Sequence, residues 1–109
     1  SGHKRIFDYV EDTCRTFANI TQHFKAGEVY NIGSREDWVV EIRDLAKLII
    51  ELTGADPSLA VVRGEEGFTT KVKIVDYSKS RKDLNHKPTI DLREGLTRYI
   101  TWMRTVYQG

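Results

Sequence analysis

A regular apolar stripe between residues 38 and 52 predicts an amphipathic helix in the middle of the chain. Its members recur three or four positions apart and so share one helix face; they are Trp38, Ile42, Leu45, Ala46, Ile49 and Leu52. Ser34 is a candidate N-cap, with Asp37 at the third helical position. Gly54 ends the pattern, and the Asp56-Pro57 pair that follows is typical of a turn.

A second helix is predicted to follow a short strand near the start of the chain. Asp8 offers an N-cap oxygen, and Glu11 stands three positions later in capping-box spacing. The apolar residues of this helix are Val10, Cys14, Phe17, Ala18 and Phe24. Their spacing predicts one buried face, so we expect Cys14 to be a small core residue. Gly27 suits the left-handed position that closes the helix.

Two more helices are predicted in the last third of the chain. Asp76 can cap a short helix that runs to Leu84, with Asn85 in the left-handed end position. Asp91 and Glu94 repeat the capping-box spacing before a longer helix. The apolar stripe of that last helix is Leu92, Leu96, Ile100, Met103 and Tyr107.

Four short segments have the composition of strands: 4–9, 28–33, 59–63 and 72–75. They are few and scattered, and they do not obviously form one closed sheet. The unpaired strand edges that would result promote aggregation, and complete proteins usually cover them. We therefore predict an α+β fold, a small helix-rich domain with a few short strands that spans residues 1–109 as a single domain. Some of its strands are expected to belong to a sheet formed elsewhere.

Charge and cysteine content exclude several classes of function. Seventeen basic and sixteen acidic side chains give a formal net charge of +1, too little to attract nucleic acid or an anionic membrane. The single cysteine, Cys14, excludes an intrachain disulfide and fits a reducing cytosol, so a cytoplasmic location is predicted. The three histidines lie far apart, and none has the spacing of a zinc site.

Four segments, taken in order, resemble the extended short-chain dehydrogenase/reductase family in its NAD-dependent nucleotide-sugar epimerase and dehydratase branch. Residues 5–12 (RIFDYVED) are similar to its arginine–aromatic–Tyr-Val-x-Asp segment, and 27–33 (GEVYNIG) to its G-x-x-Y-N-I-G strand. Residues 76–88 resemble its D-x-S-K…L-G-W-x-P stretch, and 92–102 its closing L-x-E-G-L…W helix. Together the segments cover nearly the whole chain, and the dTDP-glucose 4,6-dehydratase group is the most similar.

The resemblance implies a two-lobed parent enzyme of which this chain is the C-terminal, substrate-binding lobe. The family's N-terminal lobe is a Rossmann fold that binds NAD through a glycine-rich loop and carries a catalytic Tyr-x-x-x-Lys pair. Neither motif occurs in these 109 residues. We therefore expect no cofactor in this chain, NAD in the missing lobe, and no catalysis by this chain alone.

The partner that the resemblance implies is a nucleotide-diphosphate sugar. Arginine suits a pyrophosphate because its planar fork makes paired hydrogen bonds to phosphate oxygens. The family positions of this kind correspond to Arg5 and Arg63, and Asn31 is expected near the substrate. Where many relatives have R-P-G-H-D-x-R, residues 63–71 are RGEEGFTTK. The second basic residue is therefore Lys71 or Lys73.

Other readings of the same residues remain open. Arg5 and Arg63 are also consistent with ordinary surface charges, Asn31 with a turn residue, and Lys71 with a solvated strand edge. The chain as a whole could be a non-enzymatic oligomerisation or interaction module of the same ancestry, such as a homodimer. Nucleic acid and membrane are not expected as partners.

Overall fold

The structure, a computed structural model, describes residues 3–23, 25–61 and 72–107. Its strands and helices, in chain order, are β1 (Lys4–Arg5), α1 (Val10–His23), β2 (Val40–Glu41), α2 (Ile42–Thr53), β3 (Val72–Lys73), α3 (Ser78–Leu84) and α4 (Leu92–Val106). Short 3-10 turns cover Glu36–Trp38 and Pro57–Leu59. The predicted α+β class, helix-rich with a few short strands, is confirmed. Arg63 and Lys71 lie outside the described residues.

The sheet has three two-residue strands in the order β2-β1-β3. The central strand, β1, runs antiparallel to β2, with Arg5 opposite Val40. It runs parallel to β3, with Arg5 in register with Lys73. The backbone N–H of Ile42 also donates to the carbonyl of His3 at 3.0 Å, which ties the start of α2 to this sheet. The sheet thus joins three distant parts of the chain.

Four of the predicted capping residues lie at the ends of helices. The prediction that Gly27 closes the first helix is wrong, because α1 spans Val10–His23 and Gly27, at φ 80°, lies beyond its end. Gly54 ends α2 at φ 71°, and Asn85 ends α3 at φ 53°, both in the left-handed region. The Asp76 carboxylate accepts a hydrogen bond of 2.9 Å from the first backbone N–H of α3. The Asp91 carboxylate accepts one of 2.9 Å from the N–H of Glu94 in α4. These caps are therefore confirmed.

The start of the central helix is not where the sequence predicted it. The helix begins at Ile42, not after Ser34, and Trp38 lies in a 3-10 turn ahead of it. Val40 and Glu41 are extended because they pair with β1. A β-branched residue such as Val40 fits a strand as well as a helix, so a tertiary pairing decided its conformation.

The predicted strand at residues 28–33 does not form in the described structure. Its carbonyl groups are instead hydrogen-bonded to side chains from the region of α3. The carbonyl oxygens are those of Val29, Asn31 and Gly33, and their partners are Lys79 at 3.0 Å, Ser80 at 2.6 Å and His86 at 2.6 Å. The prediction of a strand at residues 28–33 is therefore wrong: among the described residues, no strand pairs with this segment.

The other three predicted strands are shorter than expected or absent. Leu59 ends a 3-10 turn that begins at Pro57, where the Asp56 carboxylate accepts from the N–H of Ser58 at 2.9 Å. The prediction of a strand from residue 59 is therefore wrong for 59–61, and residues 62–63 lie outside the described structure. The strands predicted for 4–9 and 72–75 form over Lys4–Arg5 and Val72–Lys73 only.

The interior of the described structure is mainly polar. Its buried hydrophobic side chains are Leu84 and Ile90. The buried polar and charged side chains are Asp12, Thr16, Ser34, Ser80 and His86. α1 packs against α3 and α2 against α4. Gly95 of α4 is buried against Tyr9, where an added Cβ would lie 2.8 Å from the ring.

The apolar stripe of α1 faces solvent, which contradicts the prediction of a buried face. Val10 is 65% exposed and Phe17 58% exposed, and Cys14 is also exposed rather than a core residue. The buried residues of this helix are instead Asp12 and Thr16. α1 is thus amphipathic as predicted, but it packs on the chain through its polar face. Within the described residues, no helix is long and apolar enough to cross a membrane.

Candidate functional site

A buried histidine connects three parts of the chain. His86 Nε2 lies 2.6 Å from the carbonyl oxygen of Gly33, and Nδ1 lies 2.5 Å from Thr16 Oγ1. Because a carbonyl can only accept, Nε2 carries a proton and donates to Gly33. In the neutral ring Nδ1 then accepts from the Thr16 hydroxyl. His86 thereby fixes the end of the 28–33 segment against α1.

A buried carboxylate fixes the approach to α4. The Asp12 carboxylate accepts hydrogen bonds from the N–H of Ile90 at 2.9 Å and from Thr89, through its N–H at 3.1 Å and its hydroxyl at 2.9 Å. Arg15 donates to the same carboxylate at 3.0 Å. Desolvation acts to raise the pKa of Asp12, but these hydrogen bonds outweigh it and the pKa lies below its ordinary value.

Asn31 is held by its backbone, with its side chain exposed. Its carbonyl oxygen accepts a hydrogen bond of 2.6 Å from Ser80 Oγ, and Ser80 is fully buried in α3. The neighbouring Tyr30 donates its hydroxyl proton to Asp83 at 2.9 Å. Desolvation, followed by this hydrogen bond, raises the pKa of Tyr30 to about 12. The segment before Gly33 is therefore anchored along α3, and the Asn31 side chain projects from it.

Arg5 lies in the central strand of the sheet. Its side chain is half-buried, and its guanidinium donates to the carbonyl of Lys4 at 2.8 Å. The parallel register places Lys73 of β3 beside it. Side chains of registered neighbours project from the same face of a sheet. The pairing therefore brings two cations, from residues 68 positions apart, to one face.

A groove of about 850 Å³ runs between residues 35–37 and the region of α3. Arg35, Arg81 and Lys87 supply positive charge along it. Asp37 engages Arg35 through two hydrogen bonds of 2.9 and 2.6 Å, which lower the pKa of Asp37. Among the described residues, the ion pairs of the structure include neither Arg81 nor Lys87. The groove is thus a second surface that could accept an anion.

The predicted site residues are distributed over separate elements. Arg5 is in the sheet and Asn31 is beside α3, while the described ranges include neither Arg63 nor Lys71. Sequence reasoning missed Arg81 and Lys87, because nothing local distinguishes them from solvated charges. The sequence did contain a signal for the polar side chains that α1 buries. Asp12, Thr16 and Asn19 recur at helical spacing opposite the apolar stripe, and Asn19 donates to the carbonyl of Leu84 at 3.0 Å.

Comparison with known proteins identifies relatives with this fold. No protein-family model matches the chain. The sequence of this chain is 31% identical over 97 residues to that of a dTDP-glucose 4,6-dehydratase of an Actinoplanes species. The match covers 88% of this chain and 29% of the relative. The chain therefore spans less than a third of the length of that relative.

Solved structures of two epimerases share the fold over almost the whole chain. UDP-glucuronic acid 4-epimerase from Bacillus cereus, in complex with NAD, is 26% identical with a TM-score of 0.78, covering 99% of this chain and 32% of that one. UDP-glucose 4-epimerase from Thermotoga maritima, with UDP-glucose, is 28% identical with a TM-score of 0.76, covering 96% and 33%. The chain is thus homologous to the C-terminal part of NAD-dependent epimerase/dehydratase family members, which confirms the resemblance seen in the sequence.

Proposed function

We propose that this chain is the nucleotide-sugar-binding portion of an NAD-dependent sugar-nucleotide 4,6-dehydratase or epimerase, and that it is not catalytic alone. The observation that carries the proposal is the shared fold, which extends over nearly all of the chain but only about a third of the relatives. NAD is then bound by the remaining part of such an enzyme. In the intact enzyme, oxidation at the sugar C4 precedes loss of water or re-reduction.

The register of β1 and β3 supports a role for Arg5 in binding the diphosphate. Arg5 and Lys73 are neighbours on one face of the sheet, so an anion bound on that face is attracted by both side chains. A diphosphate offers that anion, and the arginine fork can donate two hydrogen bonds to it. Arg63 and Lys71 are proposed as further contacts from the segment that precedes β3.

Asn31 is proposed to contact the sugar or nucleoside. Its backbone is fixed by Ser80, so its exposed amide can be presented without first ordering the main chain. The reducing cytosol that a single cysteine favours is the proposed location of the enzyme.

Calorimetric titration with dTDP-glucose, UDP-glucose and GDP-mannose tests the proposal. We expect saturable binding of one ligand and about tenfold to hundredfold weaker binding in Arg5→Ala and Lys73→Ala, since a hydrogen bond to a charged group contributes about 1.5–3 kcal/mol. Arg43→Ala, an exposed arginine of α2, is the matched control and should bind normally.

Two results contradict the proposed binding. The absence of saturable binding to all three ligands refutes nucleotide-sugar recognition by this chain. Binding that survives Arg5→Ala and Lys73→Ala but is lost in Arg81→Ala assigns the ligand to the groove beside α3 instead of the sheet.

A further inference from the structure

The groove beside α3 has two walls that differ in charge. One wall is the short 3-10 turn, where Asp37 binds Arg35 through two hydrogen bonds and Glu36 adds a further negative charge. The other wall carries Arg81 in α3 and Lys87 just beyond it. Among the described residues, the ion pairs of the structure include none of Glu36, Arg81 and Lys87. The groove therefore offers two cations on one side and a carboxylate on the other.

Both walls of the groove are held in place by contacts within the chain. Arg35 is fixed by Asp37 and by the Trp38 ring, whose centroid lies 5.2 Å from the guanidinium carbon. His86 lines the groove although it is only 2% exposed, and both of its ring nitrogens are hydrogen-bonded. The Tyr77 ring packs edge-on against His86, with centroids 5.4 Å apart. Because these groups are ordered before a ligand arrives, binding costs little conformational entropy.

We propose that this groove binds a sugar phosphate, with the phosphate against Arg81 and Lys87 and the sugar hydroxyls toward Glu36. A phosphate monoester carries about −1.5 to −2 charges at neutral pH, so it matches two cations, whereas a carboxylate matches one. The arginine fork also donates paired hydrogen bonds to phosphate oxygens. An ionised carboxylate can only accept hydrogen bonds, so Glu36 favours a ligand part that is rich in O–H donors.

The size and lining of the groove favour a sugar as the organic part of the ligand. A volume of about 850 Å³ lies within the range of about 300–1,000 Å³ that small-molecule sites occupy, and it exceeds what a bare phosphate ion fills. A nucleotide would need an aromatic surface for its base. The aromatic rings of the groove lining are those of Tyr77 and His86, and they are packed on each other.

This sugar-phosphate site is separate from the site proposed for the nucleotide sugar. Within the part of the chain that the structure describes, the groove lining includes none of Arg5, Asn31 and Lys73. The inference therefore goes beyond the proposed function and does not depend on it.

Calorimetric titration of this chain with glucose 1-phosphate tests the inference. We expect saturable binding at one site, and about fivefold to twentyfold weaker binding in Arg81→Gln and in Lys87→Gln, because each variant loses a charged donor to the phosphate. Lys82→Gln is the matched control, since it removes an exposed cation of α3 that does not line the groove. Arg5→Ala is a second control. Both controls should bind within about twofold of the parent chain.

Inorganic phosphate, glucose and uridine monophosphate identify the part of the ligand that the groove recognises. We expect glucose 1-phosphate to bind about tenfold more tightly than inorganic phosphate, since Glu36 adds hydrogen bonds that involve a charged group. Glucose alone should not bind measurably. Glu36→Ala should reduce the preference for glucose 1-phosphate over inorganic phosphate to about twofold. The ratio of the two affinities reports the hydroxyl contacts, because the change in net charge affects both phosphates alike.

Four results overturn the inference. They are the absence of saturable glucose 1-phosphate binding, binding that Arg81→Gln and Lys87→Gln leave unchanged, equal affinity for inorganic phosphate, and tighter binding of uridine monophosphate. Loss of glucose 1-phosphate binding in Arg5→Ala also overturns it, because the phosphate would then lie at the sheet. Failure of nucleotide sugars to bind refutes the proposed function but leaves the groove result standing, so the two proposals are judged separately.

Discussion

Replacing Asp12 is expected to destabilise the fold more than any other exchange of a single carboxylate on α1. Its carboxylate is buried and accepts hydrogen bonds from the backbone of Thr89 and Ile90, the two residues that lead toward α4. In Asp12→Ala the buried N–H of Ile90 has no acceptor, which costs about 1–3 kcal/mol. The bonds from Thr89 are only part-buried, so water can replace them and their loss adds about 1 kcal/mol.

The free energy of unfolding is therefore expected to fall by about 2–4 kcal/mol in Asp12→Ala, a large share of the roughly 5–15 kcal/mol typical of domains. Asp12→Asn keeps one carbonyl oxygen but loses the charge, so we expect about half of that loss. Urea denaturation followed by circular dichroism at pH 7 measures both. Asp44→Asn, an exposed carboxylate in the first turn of α2, is the control and should cost about 0.5 kcal/mol.

The dependence on pH provides an independent check on Asp12. Its pKa is lowered in the folded state, so the ionised carboxylate stabilises the fold fully above the unfolded pKa of about 3.9. That contribution is lost as the pH falls from there through the folded pKa. Asp12→Asn should lack this part of the acid dependence. A variant as stable as the parent at pH 7, or one with an unchanged acid profile, would refute the role assigned to Asp12.

Three further predictions concern the ends and contacts of the helices. Gly95→Ala should lower the free energy of unfolding by about 1–3 kcal/mol, because its Cβ would lie 2.8 Å from the Tyr9 ring; a variant stabilised in urea would show that Tyr9 moves aside. Asn85→Ala should cost about 1 kcal/mol at the left-handed end of α3, whereas Asn85→Gly should be nearly neutral; equal thermal midpoints for the two would contradict this. Ultraviolet titration should show that Tyr30 ionises at about pH 12 and that Asp83→Asn lowers its pKa; if Tyr30→Phe removes a group that ionises near 10, the Tyr30–Asp83 contact is refuted.

Local signals in the sequence were sufficient to predict the structural features that depend only on residues close together in the chain. Gly54, Asn85 and Asp91 specify helix ends through φ and hydrogen bonds that involve only their near neighbours. These features were predicted correctly because no distant contact competes with them. The α+β class followed from the same signals.

Long-range contacts account for the predictions that were wrong. Val40 is extended because it pairs with β1, some 35 residues earlier in the chain. Residues 28–33 are not a strand because their carbonyl oxygens accept hydrogen bonds from side chains of α3 and from His86. The apolar residues of α1 do lie on one face of the helix, as predicted. The spacing of apolar residues shows that such a face exists, but it does not show whether the rest of this chain covers it. The pairing of Arg5 with Lys73 is equally invisible until the register of the sheet is known.

The polar interior has a consequence for the thermodynamics of unfolding. Heat capacity rises when apolar surface meets water and falls when polar surface does, and a typical domain gains about 12–15 cal/mol/K per residue. Among the described residues, Leu84 and Ile90 are the buried hydrophobic side chains, beside five buried polar ones. The heat-capacity increment of this chain should therefore lie below the usual range. The curve of its unfolding free energy against temperature is then less strongly bent, and the hydration of apolar surface contributes less to its thermal transition than in a domain with a large hydrophobic core.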